Sequence, residues 1–236
     1  MKCNNVSVLK WDSEFFKKRI ASISMDSWDD AFLDKNLKRL KEEKIQLAYL
    51  FLPEGITLPD VYFIRYKCNL VDRKRVYAFC RLQEKEVPSN VALYNGTAFA
   101  LYDLAIQAGV DSRYHVDPDF PKEDFERLYK AWIDNSLSGV MADYVLVYRM
   151  PSGNIGGFIT LKKKGGILSI GLVATDMAYR RSGIGCALMD AAKHYACMNG
   201  IFLEVATQAD NLPACSFYEK NGFEKQSQST VYHIWL

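Results

Sequence analysis

The chain has 236 residues, of which 49% are hydrophobic, 13% aromatic and 25% charged, and its formal net charge is +2. This length suits one large domain or two small ones with a real core, and the composition excludes disordered and fibrous classes. The near-neutral balance argues against a general nucleic-acid surface, so any anion site must come from a local cluster.

The six cysteines (Cys3, Cys68, Cys80, Cys186, Cys197, Cys215) include no C-x-x-C pair and no zinc-like Cys/His spacing, so no metal is expected. Cys186, Cys197 and Cys215 lie in apolar stretches and read as buried free thiols in a reducing cytosol. The start, MKCNNVSVLKWDSEFF, shows no apolar signal-peptide core, and no apolar run approaches the roughly 20 residues that span a bilayer. A cytoplasmic protein is expected, with no membrane span and no nucleic-acid partner; a homodimer stays open.

In chain order, Ala31 to Ile45 places Leu33, Leu37, Leu40 and Ile45 at roughly helical spacing among charges, which predicts an amphipathic helix. QLAYLFL, VYFIRY and RVYAFCRL read as strands separated by PEGITLPD and KCNLVDRK. Residues 1 to about 95 are expected to form a smaller α/β unit. Gln83 to Thr97 is polar, carries Pro88, Asn95 and Gly96, and reads as the linker to a second unit over 96–236. There, PKEDFERLYKAWIDNSL predicts a helix with Phe125, Leu128, Trp132 and Leu137 on one side. DYVLVYRM, IGGFITLKK and ILSIGLVAT, joined by PSGN and KGG, predict an antiparallel meander. A helix follows with Ile184, Leu188, Ala191, Tyr195 and Met198 as its apolar face and Gly200 at its end, then the strand IFLEVAT. NLPACSFYEKNG predicts a short helix capped by Asn211 and stopped by Gly222, and STVYHIW predicts a final strand.

The stretch YRRSGIGCALMDAAKHYACMNG sets a basic, glycine-spaced turn at the mouth of a helix. The first N–H groups of a helix lack intrahelical partners, and the dipole makes that end positive. Gly183 and Gly185 clear space and permit unusual dihedrals, while Arg180 and Arg181 add charge. Such a turn suits phosphate or pyrophosphate; it also fits a plain glycine cap with two solvated arginines. It is neither a Walker A loop nor a dinucleotide fingerprint.

Arg180, Gly183 and Gly185, read as R-x-x-G-x-G, resemble the acetyl-CoA loop of the GNAT superfamily of N-acetyltransferases. NLPACSFYEKNGF resembles that superfamily's N-x-x-A-x-x-F-Y-x-x-x-G-F at Asn211, Ala214, Phe217, Tyr218, Gly222 and Phe223. LKWDSEFF, DSRYHVDPDFP, AWIDNSLSG, VATQADN and STVYHIWL are similar, in order, to segments of dTDP-fucosamine acetyltransferases; residues 25 to 100 match poorly, and Met177 stands where that family commonly has Pro.

The resemblance implies a mixed α/β fold with a central, mostly antiparallel, splayed sheet flanked by helices. It implies acetyl transfer from acetyl-CoA to the 4-amine of a dTDP-4-amino-4,6-dideoxyhexose in surface-polysaccharide sugar synthesis, with a nucleotide sugar as the small-molecule partner. It places the pyrophosphate on the backbone of Arg180, Arg181, Ser182, Gly183, Ile184 and Gly185, and pantetheine on Leu172, Val173, Ala174 and Thr175. Asn211 is expected to touch acetyl-CoA or only to cap its helix. Tyr218 is implied as the acid that protonates the leaving thiolate; a core aromatic is the competing reading. Arg113, Tyr114 and His115 are candidates for the nucleotide sugar, with a surface ion pair as the alternative for Arg113. No general base is legible among His115, His194, His233 and Glu204. Two other functions stay open: acetylation of another amine (a protein N-terminus, a polyamine, an aminoglycoside), and a non-catalytic acetyl-CoA-binding module.

Overall fold

The computed structural model describes residues 4–81 and 85–236. Among them, ten strands form one sheet in the order β1-β2-β3-β10-β4-β9-β8-β7-β6-β5. The first half supplies β1 (Asn5–Val8), α1 (Lys10–Phe16), β2 (Ile20–Ser24), α2 (Asp30–Glu42), β3 (Leu47–Pro53), α3 (Asp60–Arg65), β4 (Lys67–Phe79) and β5 (Val91–Leu93). The second half supplies α4 (Tyr102–Ala108), α5 (Arg113–Val116), α6 (Lys122–Leu137), β6 (Tyr144–Arg149), β7 (Ile155–Lys164), β8 (Ile167–Thr175), α7 (Ile184–Met198), β9 (Phe202–Gln208), α8 (Leu212–Lys220) and β10 (Glu224–Trp235). Pairing is antiparallel except for β2 with β3 and β8 with β9. The last strand lies between β3 and β4, so the two halves of the sequence share one sheet.

Strand alternation sends side chains to two faces, and each face is covered by helices. Leu47 and Tyr49 of β3 join Phe125, Leu128 and Ile133 of α6 in one cluster, whereas Ala48, Leu50 and Leu52 join Leu33, Leu37 and Leu40 of α2 on the other side. The predicted amphipathic helix is α2; Asp29 caps it through the Phe32 N–H, and Lys44, at φ 59°, ends it. A third cluster packs Ile184, Leu188 and Ala191 of α7 onto Ile159, Leu161 and Val205.

Three sequence expectations are corrected. VYFIRY is mostly helix α3, not a strand: Pro59 (φ −64°) precedes it, Asp60 stands in its first turn, and only Tyr62 is buried. Its β-branched and aromatic residues favour a strand, but a single buried anchor whose hydroxyl donates to Asp30 decides for one helical turn. KCNLVDRK is not a separator; it opens β4, a thirteen-residue strand between β10 and β9. The supposed linker contributes edge strand β5 through its Val91–Leu93 segment; its residues Gln83 and Glu84 lie outside the described residues, as do Leu82 and Cys3. Two of the three supposedly buried thiols also differ. Cys215 is buried, Cys197 half-buried and Cys186 exposed, because α7 turns its Ile184–Leu188–Ala191 side to the sheet. Met198, expected on that side, is exposed.

Candidate active site

Strand β8 changes partners part-way along. Ile170 pairs with Leu161 and Val173 with Ile159, so β8 carries one residue more than β7 between those pairs. Thr160 Oγ1 accepts the Leu172 N–H at 2.8 Å across this bulge. The bulge reverses the alternation: Leu168 and Ile170 face the α7 side, Leu172 and Ala174 the α6 side. The last β8–β9 pair is Ile170 with Val205, while β9 continues along β4 as far as Gln208. The two parallel strands therefore part at Gly171.

The parting frees backbone donors. The Leu172 N–H is taken by Thr160, and the Asp176 N–H donates to Gly156 O at 3.0 Å, both on the β7 flank. N–H groups alternate between the flanks of a strand. Those of Val173 and Thr175 therefore face the open flank that β9 has left.

A cavity of about 430 Å³ occupies this gap. Leu172 and Val173 line it from β8, Thr207 and Gln208 from β9, Asn211 and Tyr218 from α8. Ser112, Arg113 and Tyr114 line it from α5 and the residue before it, Tyr129 and Trp132 from α6, and Asp72 and Lys74 from β4.

Tyr218 is 4% exposed and packs against Tyr77, Phe217 and Phe223. Burial pushes its phenol above the ordinary value, so it stays protonated through the neutral range. Asn211 caps α8: its Oδ1 accepts the Ala214 N–H at 3.0 Å, and its Nδ2 donates to Asp111 at 2.6 Å. It thus caps and lines the cavity together.

Beyond the gap lies the glycine turn. Gly183 is left-handed at φ 86° and has no atom within 4 Å of where a Cβ would stand. It leads into α7 without a side-chain cap. The first helical bond runs from the Ala187 N–H to Gly183 O, so the N–H groups of Ile184, Gly185 and Cys186 have no intrahelical acceptor. Arg180, Arg181 and Ser182 are exposed around them, with Arg181 also left-handed at φ 67°. Gly185 does something else. A Cβ there would stand 3.2 Å from the Phe217 ring and 3.7 Å from Thr175 Oγ1. Its smallness lets α7, α8 and the end of β8 meet, which joins the two sequence signatures in space.

Two substrate candidates, Arg113 and Tyr114, lie in the cavity wall, and Arg113 is no surface ion pair. Its guanidinium carbon sits 4.4 Å from the Tyr49 ring centroid and 4.7 Å from that of Tyr114, and it donates to the Tyr114 hydroxyl at 2.6 Å. The structure does not bring His115 to the cavity wall; it is exposed, its Nδ1 is 2.7 Å from Val110 O and its ring packs on Phe125. Ala174, Thr175 and the turn from Arg180 to Gly185 stand beyond the cavity wall, towards α7.

Sequence reasoning missed Asp72. One of its carboxylate oxygens is buried without a hydrogen-bond partner. Burial pushes its pKa up to about 6, against the pull of Arg113 and Lys74. Nothing local in CNLVDRKR separates this carboxylate from solvated charges. His233 is fully buried; its Nδ1 is 2.6 Å from Asp117 Oδ2. Burial pushes its imidazole down to about 4 despite that bond. Burial also opposes the charge of Asp117, but hydrogen bonds from His233, the Asp119 N–H and Asn69 outweigh it and hold that carboxyl below its usual range. A neutral imidazole thus donates to a carboxylate, and the pair ties the end of α5 to β10.

Residues 99–223 match the model of the acetyltransferase (GNAT) family, more than half of the chain. The chain belongs to the GNAT acetyltransferase family. The chain is 33% identical over 139 residues to a dTDP-fucosamine acetyltransferase of Escherichia coli O6:H1, across 58% of this chain and 57% of that one. It is 24% identical over 147 residues to the spore coat polysaccharide biosynthesis protein SpsD of Bacillus subtilis, across 59% and 48%. The matches therefore span only about half the length of these relatives. A GCN5-related N-acetyltransferase from Sphaerobacter thermophilus shares the fold with a TM-score of 0.63 over 98% of this chain and 76% of that one, at 15% identity. The chain has no helix among the described residues long and apolar enough to cross a membrane.

Proposed function

We propose that the protein transfers an acetyl group from acetyl-CoA to the amine of a nucleotide-linked amino sugar, with a dTDP-4-amino-4,6-dideoxyhexose as acceptor. The observation that carries this reading is the charge of the cavity wall: a single carboxylate, Asp72, faces two cations, Lys74 and Arg113. A polyamine or aminoglycoside brings several positive charges and would be repelled there. An acceptor with one amine and a diphosphate matches both signs. The relative named for dTDP-fucosamine supports the same chemistry.

The residues present fit acetyl-CoA. The free N–H groups of Ile184, Gly185 and Cys186, with Arg180 and Arg181 beside them, suit its pyrophosphate. The Val173 and Thr175 N–H groups suit the pantetheine arm and the thioester carbonyl oxygen. Bound there, the thioester supplies the activated acetyl group. Asp72 takes a proton from the acceptor ammonium. The freed nitrogen would attack the carbonyl carbon, so that the C–N bond forms, the C–S bond breaks and the nitrogen sheds its second proton to solvent. Tyr218 gives its proton to the departing sulfur, and bulk solvent resets both side chains.

Thiol release from acetyl-CoA tests this, using dTDP-4-amino-4,6-dideoxygalactose, spermidine, an aminoglycoside and a short peptide as acceptors. Release with the amino sugar alone is expected; release with the peptide or spermidine but not the sugar overturns the reading, and binding of acetyl-CoA with release from none favours a non-catalytic module.

The two glycines of the turn are expected to fail differently on replacement by alanine. Gly183→Ala strains a left-handed residue at a cost of about 1–2 kcal/mol and meets no neighbour. Gly185→Ala presses on Phe217, the residue beside Tyr218. Denaturant midpoints and thiol release should show the stability loss for Gly183→Ala, and a lower kcat for Gly185→Ala.

A further inference from the structure

Four buried side-chain polar atoms among the described residues have no hydrogen-bond partner: Tyr49 Oη, Asp72 Oδ1, Ser112 Oγ and His233 Nε2. Buried polar groups are nearly always satisfied, so each such orphan calls for an explanation. These four are clustered. Ser112 directly precedes Arg113, whose guanidinium lies on Tyr49, and Tyr49 stacks on His233 at 4.7 Å. Asp72 and Ser112 stand in the wall of the same cavity, with Arg113. Tyr49 and His233 lie behind that wall.

The chemistry of the members in the cavity wall is specific. An ionised Asp72 Oδ1 only accepts, the Arg113 guanidinium only donates, and Ser112 Oγ can do either. Arg113 spends one N–H on the Tyr114 hydroxyl and keeps others. The rings of Tyr129 and Trp132 line the same cavity and offer it apolar faces. An amine answers Asp72. A ligand hydroxyl, donor and acceptor at once, answers Ser112 and Arg113.

We propose that this end of the cavity reads the hydroxyl next to the reacting amine: Asp72 holds the amine, Ser112 and Arg113 hold the hydroxyl on the adjacent ring carbon, and the ring lies against Trp132. Ser112 is thereby a specificity-determining residue. The inference rests on the amino-sugar reading and adds to it the feature by which hydroxyl-free amines are refused. A site built to bond a substrate hydroxyl discriminates strongly against the analogue without it, because its own polar groups are then left dry.

The test compares dTDP-4-amino-4,6-dideoxygalactose with its 3-deoxy analogue on the wild-type chain and on Ser112→Ala. The wild type is expected to prefer the hydroxylated sugar by about 100-fold or more in kcat/KM. Ser112→Ala is expected to lose at least about tenfold of that preference, with an unchanged KM for acetyl-CoA. Its Tm is expected to hold, since the buried Ser112 hydroxyl makes no well-formed hydrogen bond in the free protein and has only the Tyr129 hydroxyl beside it. An undiminished preference in Ser112→Ala overturns the inference, as does an equal loss on both sugars with a lowered Tm, which is the mark of a structural role. A wild-type chain that acetylates neither sugar but does acetylate another amine overturns the amino-sugar reading itself, and this inference with it.

Discussion

Tyr218→Phe is expected to lower kcat by about 10²- to 10⁴-fold while leaving the KM for acetyl-CoA nearly unchanged. The substitution removes one oxygen and keeps the ring, so packing against Tyr77, Phe217 and Phe223 is retained. What is lost is the proton for the departing thiolate. Burial holds the phenol above its ordinary value. The acid form therefore persists beyond pH 10, and any alkaline fall in activity below that pH belongs to another group. Single-turnover thiol release with saturating acetyl-CoA measures the effect. A folded Tyr218→Phe chain with full turnover would remove Tyr218 from the mechanism.

Asp72→Asn is expected to have the second large effect, about 10²-fold or more in kcat/KM near neutral pH. The carboxylate acts as a base only when deprotonated. Its pKa is raised from the usual value to about 6, so activity should fall as pH drops through about 6, roughly tenfold per unit below it. The variant should lose this acid limb, and the pH profile of kcat/KM shows whether it does. Stability should move the other way. A carboxyl with a raised folded pKa binds more protons folded than unfolded between the two values, so its destabilising effect sets in as pH rises from about 4 to 6 and is complete above. At pH 7 the neutral amide is expected to raise the Tm. Lower activity together with higher stability is the signature of a charge kept buried for function. An unshifted profile would assign the acid limb elsewhere.

The parts of the site legible in the sequence are those whose chemistry is local. Gly183 must be left-handed for the chain to turn into α7, and only its own backbone imposes that. Asn211 caps its helix by accepting the N–H of Ala214, three residues on. Tyr218 comes with the same short pattern. Asp72 and Ser112 carry no such mark. Asp72 sits in a polar run that reads as solvated charge, and it becomes a buried carboxylate only because β10 and β9 enclose β4. His115 shows the reverse: in a row of three polar candidates, the turn of α5 sends Arg113 and Tyr114 to the cavity and His115 to the Phe125 side.

By itself the sequence determined the order of helices and strands from α6 onwards, the glycine turn and the helix that carries Tyr218, but not the short helices α4 and α5. Hydrophobic period, caps and left-handed glycines act within a few residues. Tertiary structure alone decided three things: that β10 lies between β3 and β4, that β8 and β9 part at Gly171, and that Asp72, Ser112 and Arg113 line one cavity. Each depends on contacts between residues far apart in the chain. A side chain's hydrogen bonds and its pKa follow from what encloses it, and no short stretch of sequence contains that enclosure.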